Sequence, residues 1–198
     1  MNTELKEIKA FTLNLSDIYK LIIDNINLIV SIIMLICGII IGSHAVCVNN
    51  DFSDIISFIF SFTDSFFIEL FRSLLFCLLL LTINFILGLS CVGFPIISVN
   101  VSFSGFFIGC FITSSFLDYY ESSSISSIFC RILTAVILCV IVLYSAEISC
   151  RQTSKISANL LNYTKLSCLN IREYLLKYLC LLLLCFFEAI ISGLLLSK

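Results

Sequence analysis

The stretch SLLFCLLLLTINFILGLSCVGFPIISVNVSFSGFFIGCFITSSFL, residues 73–117, contains no Asp, Glu, Lys, Arg or His and decides the fold. It is long enough for two bilayer crossings, since a hydrocarbon core about 30 Å thick takes roughly 20 apolar helical residues. Gly93 and Pro95 mark the place where it turns back, because a proline at a helix start gives up only an N–H that has no partner within the helix. The expected spans are 73–92 and 95–117; residues 27–46, 128–148 and 178–196 are also long and apolar enough. Arg131 and Glu147 stand near the ends of the fourth span, where side chains reach the interface, and Glu188 stands close to the middle of the fifth. The sequence therefore predicts an all-α polytopic membrane protein, with residues 1–26 preceding a five-span domain over 27–198.

Composition excludes the main alternatives. Of the 198 residues, 60% are hydrophobic and 12% charged, against about half and about a quarter in a soluble domain. A soluble enzyme would have to expose apolar patches larger than monomers tolerate. A net charge of −2 does not suit a protein that holds nucleic acid, and a single proline and seven glycines do not make a disordered chain. The bilayer is the expected partner.

Cationic residues near span ends stay on the cytoplasmic side. With the amino terminus inside, Lys6, Lys9, Lys20, Arg151, Lys155, Lys165, Arg172 and Lys177 fall inside, and only Arg72, Arg131 and Lys198 outside. The expected arrangement is a multi-pass cell-membrane protein with its carboxyl terminus out. No cleavable signal peptide fits the start, since Glu4, Glu7, Asp17 and Asp24 precede the first apolar run. Leu5, Ile8, Phe11, Leu15, Ile18 and Ile22 recur at helical spacing, which predicts an amphipathic interfacial helix over 4–23. A second amphipathic stretch, DFSDIISFIFSFTDSFFIELFR (residues 51–72), repeats polar residues every three or four positions. Its acids Asp54, Asp64 and Glu69 form either an outer docking face or the solvated edge of a lipid-resting connector. The basic stretch Ser149–Tyr174 reads as a cytoplasmic loop.

Chemistry-bearing residues are few. An ionised carboxylate deep in the bilayer is costly, so Glu188 should face the bundle interior. Counting inward along antiparallel spans places Asn84 and Ser102 or Ser104 at its depth, which makes these four residues either an intramembrane polar clasp or part of a proton or ion path. Gly38 with Gly42 and Gly105 with Gly109 form two GxxxG strips, suited to helix packing within the bundle or against a partner, and Gly88 and Gly93 bracket the turn into Pro95. None of the 11 cysteines forms a CxxC pair. Those inside spans should behave as small apolar side chains, leaving Cys47 and Cys130 as the pair near the outer face. His44 is the single histidine, so neither a histidine-based metal site nor a Ser-His-Asp triad can be assembled. No catalytic residue, metal site or cofactor is expected.

The stretch ILGLSCVGFPIISVNVSFSGFFIGCFITSSF (residues 86–116) resembles the stage II sporulation protein M family, whose members carry a Leu-Gly near the end of one span, a Gly-x-Pro turn, and glycines about four apart in the next span. The matching positions are Leu87, Gly88, Gly93, Pro95, Gly105 and Gly109; Gly38 and Gly42 look like the family's first span, and Glu188-Ala189 like a Glu-Ala pair in its last. The resemblance implies a non-enzymatic bacterial membrane scaffold that holds peptidoglycan hydrolases during engulfment in sporulation, with membrane or wall-hydrolase partners or further copies of the chain. The alternative is a membrane subunit of a transporter, either associated with an ATP-binding cassette or proton-coupled, with Glu188, Asn84 and the Gly93–Pro95 break along a pathway.

Overall fold

The computed structural model describes residues 25–48, 66–121, 125–161 and 171–196. They form five helices: α1 (Ile26–Val48), α2 (Phe66–Gly88), α3 (Gly93–Glu121), α4 (Ile125–Leu161) and α5 (Ile171–Leu196). Each contains a run long and apolar enough to cross a membrane, and no strand occurs among the described residues. The chain is an all-α polytopic bundle. The helix expected over 4–23 and the acids Asp54 and Asp64 lie outside the described residues, and Glu69 falls in the first turn of α2.

Among the differences from the hydropathy reading, two bear on the site, both at the end of the bundle that carries the α2–α3 turn. α2 stops at Gly88, four residues short of the expected span end, and residues 89–92 make the turn. The expected Ser149–Tyr174 loop is largely helical, because α4 continues to Leu161 and α5 begins at Ile171. The physical reason is burial on one side and pairing on the other. Ser149, Cys150, Gln152, Thr153 and Tyr174 are buried, while Arg151 pairs with Glu147 and Lys177 with Glu173 one turn apart, which supports the helices where they meet water. Arg131, expected to reach the interface, is instead buried in the first turns of α4.

α4 is the hub, touching all four other helices, whereas α1 and α5 lie at two edges and do not pack on each other among the described residues. In the most apolar window of each helix, 56% of α3 and 50% of α4 is buried, against 22% of α1 and of α2 and 33% of α5. The outward faces of the edge helices carry exposed Ile36, Ile40, Leu183 and Phe187. Lipid accommodates these side chains as readily as a protein core would, so apolar burial does little to hold such helices together. Small-residue packing and interhelical hydrogen bonds have to do so, and the two edges use them differently.

Candidate functional site

The densest polar cluster gathers where α2 ends. A helix leaves its last four carbonyls without intrahelical donors, and inside a membrane each unsatisfied group costs several kcal/mol. Here the turn and two other helices provide for them. Leu89 N–H donates to the Ile86 carbonyl and Ser90 N–H to the Leu87 carbonyl, both at 3.1 Å. The Tyr174 hydroxyl of α5 donates to the Phe85 carbonyl (2.9 Å), and the Thr153 hydroxyl of α4 lies 3.4 Å from the carbonyls of both Leu87 and Gly88. Gly88 is required for this approach, since a Cβ there would collide with the Tyr174 hydroxyl and crowd the backbone of Ser149. A Cβ on Gly93 would likewise meet the Leu87 carbonyl and Thr153 Oγ1. Pro95 occupies the first turn of α3, where its missing N–H removes no helix bond.

One turn deeper, a buried network joins α2, α3, α4 and α5. The Asn100 amide donates to Asn84 Oδ1 (2.8 Å), and the Asn84 amide donates to Ser145 Oγ (2.8 Å). Ser149 Oγ donates to the Asn84 carbonyl (2.8 Å). That uses the serine's single proton, so the 2.5 Å contact between Ser149 Oγ and the Tyr178 hydroxyl has Tyr178 as donor. Phe85 stacks on Tyr174 (ring centroids 5.1 Å apart) and meets the edge of Tyr178 (5.0 Å), which seats α5 against α2.

Glu188 is not part of that network. It is 1% exposed and its Oε2 accepts a 2.8 Å hydrogen bond from Ser73 Oγ, near the opposite end of α2. The expected clasp with Asn84, Ser102 and Ser104 is therefore two separate features. Ser73 and Asn84 are eleven residues apart on one helix, roughly 16 Å along its axis. Phe85 faces Tyr178 and Cys77 faces Cys185, so the level of Asn84 corresponds to Tyr178 on α5, ten residues before Glu188. Counting inward failed because α5 begins seven residues before position 178 and α2 ends four before position 92, which slides the two helices past each other. Ser104 donates to the Asn100 carbonyl of its own helix (2.8 Å), and Ser102 lies on the α1 side of α3, its carbonyl under Gly38.

The two glycine strips meet each other. α1 and α3 run parallel with Gly38 and Gly42 against Ser102 and Phe106, and Gly105 and Gly109 against Leu35 and Ile39. At all four glycines an added Cβ would overlap a carbonyl oxygen of the facing helix, so only glycine permits this backbone-to-backbone seam. Cys110 Sγ donates to the Gly42 carbonyl (3.3 Å) and Ser43 Oγ to the Gly109 carbonyl (3.4 Å). Cys77 and Cys185, expected to be simple apolar fillers, form a disulfide between α2 and α5, their Cα atoms 6.1 Å apart. Cys47 is a free thiol.

Sequence reading missed Asn100, Ser145, Ser149, Thr153, Tyr174 and Tyr178. The signal was present as period: Ser145, Ser149 and Thr153 fall four apart on one face of α4, as Tyr174 and Tyr178 do on α5.

Fold and site together define a polytopic membrane protein whose interior polar groups link helix to helix. No family model, no curated protein and no solved structure matches the chain.

Proposed function

We propose that this protein is a non-enzymatic membrane scaffold that holds other proteins at the membrane, in the manner of stage II sporulation protein M with peptidoglycan hydrolases during engulfment. The observation that carries the reading is the use made of buried polar side chains. Asn84, Asn100, Ser145, Ser149 and Tyr178 bond to one another, and Ser73 bonds to Glu188, in pairings that link helices. A transport path needs polar groups that face a passage and exchange partners with its cargo. The roughly 16 Å between Asn84 and Ser73 along α2 further separates the two groups a path would have to join.

The glycine strips serve α1 and α3 internally, which moves the partner-holding surface elsewhere. The outward face of α5, with Leu183 and Phe187, is the surface this reading assigns to a neighbouring membrane protein. The turn end carries Arg151, Lys155, Arg172 and Lys177, which supports placing it in the cytoplasm of a bacterial cell, with the Glu188 end outside.

Two measurements test the proposal. A photo-crosslinking residue at Leu183 or Phe187, in cells carrying out engulfment, should capture a peptidoglycan hydrolase or the membrane protein that anchors one; capture of an ATPase component instead would replace the scaffold reading. Purified protein in proteoliposomes should show no proton flux. A flux that Glu188→Gln abolishes while leaving assembly intact would establish transport.

A further inference from the structure

Between residues 148–155 of α4, the first turns of α5 and the start of α1 lies a cavity of about 430 Å³, lined by Asn27, Arg151, Gln152, Lys155, Glu173 and Lys177 among others. Its chemistry is mostly that of donors. Three cations face one acid, and two of the cations retain donors beyond their helical pairs. Arg151 gives one contact to Glu147 out of five N–H groups, and Lys177 gives one to Glu173 out of three. Lys155 makes no ion pair among the described residues.

The decisive group is Gln152. The residue is 6% exposed, it lines the cavity, and its Nε2 is buried without a hydrogen-bond partner. A buried amide donor left unmade costs about 1–3 kcal/mol, so native structures provide such groups with an acceptor. Neither a cation nor an apolar chain would satisfy an N–H in a cavity that Arg151, Lys155 and Lys177 also line. An anion with several acceptor oxygens would, because it takes the amide proton and charge-assisted bonds from Lys155 and Arg151 at once.

The geometry points to a binding site for a phosphate group, formed by Gln152, Arg151, Lys155 and Lys177 at the turn end of the bundle. Its depth suits a membrane source. The cavity residues of α4 and α5 fall in the closing turns of an apolar run that ends at Ser157 and the opening turns of one that begins at Ile171, the part of a span next to the headgroups of one leaflet. A lipid phosphodiester and a free phosphate share this chemistry, and the experiment separates them. Glu173 in the lining disfavours diffuse anion attraction, which makes the site depend on the buried amide and not on charge alone.

The full chain, purified in maltoside micelles free of phosphate, is titrated with phosphatidylglycerol by native mass spectrometry and with inorganic phosphate by calorimetry. One saturable equivalent is expected, with affinity falling at least tenfold in Gln152→Leu and in Lys155→Gln, the second an exposed position that leaves packing intact. Arg172→Gln, which removes an exposed cation outside the cavity, should leave binding unchanged. Saturable lipid binding that inorganic phosphate does not displace identifies a headgroup site, and comparable binding of phosphate by itself identifies a soluble ligand. Absence of saturable binding by either probe overturns the site. So does unchanged affinity in both cavity variants, or a loss in Arg172→Gln as large as in Lys155→Gln.

Discussion

The two edge helices are held by opposite means. α1 rests on α3 through backbone contact at Gly38, Gly42, Gly105 and Gly109, with few side chains between the two. α5 is held at its side-chain tips, through Tyr174, Tyr178, Glu188 and the Cys77–Cys185 disulfide. The glycine seam tolerates no added atom, because carbonyl oxygens fill the space a Cβ would need. The α5 seam is a set of separate bonds, and losing one leaves the others in place.

Four substitutions test this contrast, from the largest expected effect to the smallest. Gly42→Leu should force α1 and α3 apart, at a cost of about 3 kcal/mol, the upper end for overpacking. Unfolding in mixed micelles with rising dodecyl sulfate would register it, and a variant as stable as the parent would show that the seam is not close-packed. Asn84→Leu removes the acceptor of Asn100 and the donor to Ser145, which predicts about 1–2 kcal/mol by the same titration, near the maximum for interhelical bonds in lipid. Tyr178→Phe keeps the ring against Phe85 and loses only the hydroxyl, for about 1 kcal/mol or less. Ser73→Ala should cost about 0.6 kcal/mol, an average membrane hydrogen bond. A larger loss for Ser73→Ala than for Gly42→Leu would invert the comparison.

The five crossings were legible because hydropathy averages over twenty residues and tolerates errors at the ends. Gly38 with Gly42 and Gly105 with Gly109 were legible as small-residue strips, though not that the two strips meet each other. The partner of Glu188 was not legible. It depends on how far α5 slides along α2, and a shift of about three turns exchanges Asn84 for Ser73 with no change in either helix's hydropathy. The Tyr174 and Thr153 bonds were hidden for a related reason: the acceptors are backbone carbonyls, exposed only because α2 stops at Gly88 and not at position 92.

The end of α2 also sets an order for biogenesis. α2 and α3 leave the ribosome before the residues that complete them, and at that stage the carbonyls of Phe85 and Gly88 lack the hydroxyls of Tyr174 and Thr153. The hairpin enters the membrane unfinished, with acceptors that only water, a lipid headgroup or an insertion factor can meet in the interval. Translation of the last third of the chain then closes them. A truncated product ending before residue 153 would retain that open site, which gives membrane quality control a chemical mark by which to tell a partial chain from a whole one.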